Sequence, residues 1–95
     1  MLDKKQRFFR LIESYINDFR GDAVQEFYGE KARIKVHSMI TGVKDNSIML
    51  EVVIILGNSI NEDVMNDSLA HILIQDSMVY FFPESKILTY VRFDV

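Results

Sequence analysis

The chain predicts an α+β fold: two helices packed on one face of a small, mostly antiparallel sheet, in the order α-β-β-α-β. Three observations carry that prediction. Apolar residues follow helical spacing near the N-terminus and again around residue 70. Three other stretches alternate with a period of two. The four glycines fall where those periods break. With 95 residues and 48% apolar content, residues 1–95 make one domain with enough side chains for one core.

Leu2 to Arg20 reads as the first helix. Phe8, Ile12, Tyr15, Ile16 and Phe19 form one stripe, widened by Phe9 and Leu11. Asp3 is placed to cap its start and Gly21 to stop it. Its first half is basic and its second half mildly acidic, the reverse of what the helix dipole favours, so packing must hold it. Asp22 to Glu30 reads as a connector pinned by Phe27 and Tyr28, with room for a short helical turn.

Ala32–Val43 and Ser47–Gly57 read as a hairpin around Lys44-Asp45-Asn46, with Asn46 suited to a left-handed conformation. That turn predicts Ile40 opposite Leu50, Val36 opposite Ile54 and His37 opposite Val53. The second strand is apolar on both faces, as a central strand is. A second helix starts near 58–61, capped by Ser59 or Asn61, with Glu62 and Asp63 in its first turn. Val64, Met65, Leu69, Ile72 and Leu73 follow its stripe. Val79 and Tyr80 continue that stripe to Phe82, where Pro83 ends it. The competing reading makes Met78–Phe82 a strand, giving α-β-β-α-β-β. Lys86–Val95 is the clearest strand: Ile87, Thr89, Val91, Phe93 and Val95 share one face, and Leu88, Tyr90, Arg92 and Asp94 the other. Running to the last residue, it predicts a C-terminus held in the sheet.

Several functions find no support in the residues. Without cysteine there is no disulfide, zinc–cysteine site or thiol chemistry. The two histidines, His37 and His71, lack metal-ligand spacing. A His37–Glu51 pair on the outer hairpin face is conceivable, as Glu51 is expected opposite Met39; an exposed histidine beside a solvated glutamate is the plainer reading. His71 and Gln75 lie one helical turn apart, on a face that reads as solvated. No serine sits in a nucleophile elbow, and no glycine-rich phosphate loop occurs. These absences predict a protein that is not an enzyme, with no catalytic residues, metal, cofactor or small-molecule substrate. The longest apolar run, Val52–Leu56, is too short to span a membrane, and no secretory signal is evident, which predicts a cytoplasmic location.

What remains is a surplus of apolar side chains. Helices on one face of a small sheet cannot cover both faces of the second strand, the second face of the last strand and Met78–Phe82. The expected function is a structural or assembly subunit that forms homo-oligomers or docks a protein partner. Its interface residues are Val53, Ile55, Tyr80, Phe81, Leu88 and Tyr90. The edge of the last strand can also recruit another strand. Nucleic-acid binding ranks second. Lys4, Lys5, Arg7 and Arg10 join Arg33 and Lys35 in a basic patch, against a net charge of −3. An acidic inhibitor using Asp63, Asp67 and Asp76 ranks third. In size and element order the chain resembles small phage head–tail and baseplate assembly proteins. That resemblance implies a viral structural subunit with a virion-associated location.

Overall fold

The computed structural model describes residues 3–42, 44–57 and 67–94. The order is α1 (Lys4–Tyr28), β1 (Arg33–Thr41), β2 (Ser47–Ile55), α2 (Asp67–Phe81) and β3 (Lys86–Asp94). The three-stranded sheet runs β1-β2-β3, so β2 is central, as its apolar faces predict. The sheet is mixed. β1 pairs antiparallel with β2, whereas α2 carries the chain across so that β3 pairs parallel to β2. Both helices cover one face. Ile12, Ile16 and Val24 of α1 and Ala70, Ile74 and Met78 of α2 meet Ile34, Val36, Leu50, Val52 and Ile54 in one core.

Helix α1 starts as expected. The Gln6 N–H donates to Asp3 Oδ1 (2.7 Å) and the Asp3 N–H to Gln6 Oε1 (3.3 Å), a reciprocal capping box. It does not stop at Gly21. Asp22–Tyr28, read as a connector, continues the helix, because Val24 and Tyr28 extend the buried Ile12–Ile16 stripe. Glycine in a helix costs only about 1 kcal/mol, and burial of those two side chains outweighs it. The stop is Gly29, at φ 116°, whose N–H donates to the Gln25 carbonyl (2.9 Å).

The hairpin turn has Asn46 at φ 52°, as expected, but the register differs. Val36 faces Val52 rather than Ile54, and Ile40 faces Met49 rather than Leu50. The ladder shifts between Val36 and Ser38, so His37 is an extra residue without a partner and does not face Val53. The bulge reverses the alternation beyond it. Met39 turns onto the core, and Ile40 turns out at 64% exposure. Helix α2 runs through Met78–Phe81, which settles the fork in favour of α-β-β-α-β. The expected cap at 58–61, the acidic first turn, Val64, Met65, and the strand ends Val43 and Val95 lie outside the described residues.

Candidate functional site

Because both helices lie on one face, the other face of the sheet carries no layer among the described residues. The register arranges its side chains in rows across the three strands. Ile40, Met49 and Leu88 form one row; Ser38, Glu51 and Tyr90 the next; Lys35, Val53 and Arg92 the third; Arg33, Ile55 and Asp94 the last. The first row is wholly apolar, with Met49 at 45% and Leu88 at 42% exposure, and Tyr90 beside it at 56%. The remaining rows are charged. Arg92 Nε lies 3.4 Å from Glu51 Oε1, and Ser38 Oγ donates to Glu51 Oε2 (3.1 Å). The open face is thus greasy at the turn end and polar at the other.

The six residues expected at the interface fall in three places. Leu88 and Tyr90 stand exposed on the open face. Val53 and Ile55 lie on the same face but are mostly covered. Val53 is only 7% exposed and sits between Lys35 and Arg92 in its row, residues whose long aliphatic stems can cover an apolar neighbour. Tyr80 and Phe81 belong to the helical layer, on the opposite side of the molecule. Tyr80 stacks on Tyr15 (4.7 Å, 14°), while Phe81 is half-buried edge-on to Phe8 and Tyr15. No single surface contains all six. The open face also contains Ile40, which the bulge hid in the sequence, and Met49, which alternation in β2 places beside Val53 and Ile55 but which was not among the expected interface residues.

The two sheet edges differ in kind. On the β1 edge, Asn17 of α1 acts as a substitute peptide. Its Nδ2 donates to the Ile34 carbonyl (2.8 Å), and its Oδ1 accepts the Ile34 N–H (3.0 Å). Glu13 Oε1 accepts the next outward N–H, that of Val36 (3.0 Å). The His37 bulge interrupts the edge beyond Val36, so β1 offers no continuous ladder. Asn17 and Glu13 were not singled out from the sequence. Their signal is two polar residues on the helix flank that faces a strand.

The β3 edge is the other border of the sheet. Lys86 donates its N–H to Asn46, and Asp94 accepts from the Leu56 N–H. In a parallel strand both backbone groups of a residue point the same way. Lys86, Leu88, Tyr90, Arg92 and Asp94 therefore face β2, and Ile87, Thr89, Val91 and Phe93 face outward. Gln75 Nε2 of α2 reaches this outward backbone at the Ile87 carbonyl (3.5 Å). His71 Nδ1 instead pairs with the Thr89 hydroxyl, so His71 and Gln75 dock α2 onto β3 rather than forming a polar pair in solvent.

The basic residues separate as well. Arg10, Arg33 and Lys35 line one 590 Å³ cleft beside β1, but Glu13 and Asp18 line it too. Lys4, Lys5 and Arg7 lie outside that cleft, exposed on the first turns of α1, with Lys5 Nζ 5.9 Å above the Phe9 ring. Of the acidic set, Asp76 is paired with Arg20 (2.8 Å), Asp67 approaches His71 (4.0 Å), and Asp63 lies outside the described residues. His37 lines a second cleft with Arg10 and Lys35, while Glu51 faces Ser38 rather than Met39; the two therefore do not form the conceived pair. Among the described residues, no three His, Asp or Glu side chains gather to hold a metal. No described helix is long and apolar enough to cross a membrane. No protein-family model matches the chain, and neither the curated proteins nor the solved structures contain a match to it.

Proposed function

We propose that this protein is an assembly or interaction subunit that works by covering its open sheet face with another protein, without chemistry of its own. The observation that carries this reading is the Ile40-Met49-Leu88 row with Tyr90 beside it. These four large side chains, drawn from three strands, share one face that no described helix covers. A contiguous exposed apolar patch bordered by charge has the make-up of a protein–protein contact, with Tyr90 as its aromatic anchor. A structural role of the phage head–tail or baseplate kind is compatible with this reading and rests on size and element order alone. Against nucleic-acid binding stand Glu13 and Asp18, whose carboxylates sit among the cations of the β1 cleft and would repel phosphate.

A photo-crosslinking residue at position 49, introduced into the protein in the cells that make it, tests the reading. A discrete protein adduct is expected, absent when the probe sits at Lys44 in the exposed turn. Equal, diffuse labelling from both positions would overturn it.

A further inference from the structure

The geometry points to a second copy of this chain as the occupant of the β3 edge, paired antiparallel about a two-fold axis through Tyr90. This inference rests on the interaction-subunit reading and names a partner for it. Three independent features of the structure converge on it.

The first is the phase of the hydrogen bonds. Ile87, Thr89, Val91 and Phe93 direct both backbone groups outward, as the Lys86–Asn46 and Asp94–Leu56 bonds require. An antiparallel self-pairing must match these residues with one another. Centring the axis on Tyr90 does so for all of them: Ile87 meets Phe93 of the second copy, and Thr89 meets Val91. Each such pair exchanges two bonds, giving about eight between the chains, with the Ile87 carbonyl accepting from Phe93 of the second copy in addition to, or in place of, its long bond from Gln75. The result is a continuous six-stranded sheet with β1 at both ends, where Asn17 and Glu13 already close the edge.

The second is charge. In that register Lys86 of each copy stands opposite Asp94 of the other, and Tyr90 opposite Tyr90. Sliding the axis to Thr89 keeps the hydrogen-bond phase but sets Lys86 against Arg92. Sliding it to Val91 leaves Lys86 and Ile87 beyond the described strand. The centred register alone pairs all nine residues of β3 and opposes unlike charges at both ends.

The third is α2. Gln75 touches the β3 edge, and its neighbours on the helix surface are Ile72, three residues before, and Val79, four residues after. Both are exposed. On the β3 side of α2 they form an apolar stripe that is left largely exposed. In the paired arrangement the two α2 helices lie on the same side of the joined sheet, and these stripes face each other across the axis. The two Leu88 and two Tyr90 side chains meet on the opposite face, so pairing also enlarges the open apolar surface.

Sedimentation velocity over a concentration series tests this with four proteins: the parent, Lys86→Asp, Asp94→Lys, and the double variant. Circular dichroism confirms the fold of each. The parent is expected at twice the chain mass. Each single variant sets like charges together at both ends of the strand pair and weakens the dimer about tenfold or more. The double variant restores the opposition with the signs exchanged, and returns the dissociation constant to within about threefold of the parent. Ile72→Glu weakens the dimer without touching β3. A parent that stays at the chain mass, or a double variant no better than the singles, overturns the inference. The adduct at position 49 is read separately. A monomeric chain that still gives this adduct sinks the two-fold pairing and leaves the interaction reading standing.

Discussion

Replacing Asn17 by alanine gives the most searching test of how this sheet is closed. The side chain makes two bonds to one residue of β1: Nδ2 to the Ile34 carbonyl at 2.8 Å, and Oδ1 from the Ile34 N–H at 3.0 Å. Each bond is worth about 1 kcal/mol net, and both Ile34 groups lie between α1 and the sheet, where water replaces the amide poorly. The expected loss is therefore about 2–3 kcal/mol. For a domain of this size that lowers the melting temperature by about 10–20 °C. Urea unfolding followed by circular dichroism measures it. Asn17→Asp is the companion variant. It keeps the acceptor for the Ile34 N–H but sets an anion against the Ile34 carbonyl, so it is expected to be no more stable than the alanine variant. The uncapped edge should also make Asn17→Ala prone to slow association at high concentration. A loss below about 0.5 kcal/mol would refute the claim that Asn17 substitutes for a neighbouring strand.

Deleting His37 removes the unpaired residue but leaves Val36 and Ser38 opposite Val52 and Glu51, so stability should change by less than about 1 kcal/mol; a variant that fails to fold would show the bulge to be required. Ile74→Ala, at a fully buried position where α2 meets the core, should cost about 2–5 kcal/mol in denaturant unfolding; a loss under about 1 kcal/mol would contradict the core assignment. Burial pushes the Tyr28 phenol above its usual 10.0, opposed by its bond to the Ala70 backbone and reinforced by the Asp67 carboxylate. The folded state thus holds this proton more tightly than the unfolded chain. The associated stability is present below pH 10 and lost as pH rises towards the folded value; a Tyr28→Phe variant should lose that alkaline slope. The Asp45 carboxyl lies below its usual 3.8, held there first by its bond from the Ser47 hydroxyl. The β1–β2 turn is therefore tightest above pH 4 and loosens as acid brings Asp45 through its folded value, which backbone amide exchange at Ser47 would report.

Much of the architecture was legible because it depends on local period. Helical spacing ended by Pro83 gives α2 but not its core face, since Ile72, Val79 and Tyr80 of the expected stripe are exposed and Ala70, Ile74 and Met78 are buried; strict alternation gives β3 with the correct faces. The two-sided apolar pattern of Ser47–Ile55 places β2 in the centre. The departures share a physical origin in contacts made at a distance. Gly21 carries a stop signal, yet Val24 and Tyr28 gain more from the core than the glycine costs. The His37 bulge conserves sequence spacing while reversing faces, so Ile40 looks like core and Met39 like surface. Strand direction is not encoded in alternation at all, and β3 is parallel only because α2 intervenes. Of the candidate surface, Leu88 and Tyr90 were readable from β3 alone. Met49 was readable from alternation in β2, Ile40 needed the bulged register, and the coverage of Val53 needed both of its cross-strand neighbours.

If the open sheet face is the working surface, it must be covered when the protein is in its assembly. Hydroxyl-radical footprinting, on the protein as assembled and after dissociation by dilution, measures this side chain by side chain. Labelling at Met49, Leu88 and Tyr90 should rise severalfold on dissociation, while Leu11 and Phe19, exposed on the helical layer, stay constant. Equal labelling of Met49 in both states, or protection confined to the helical layer, would contradict it.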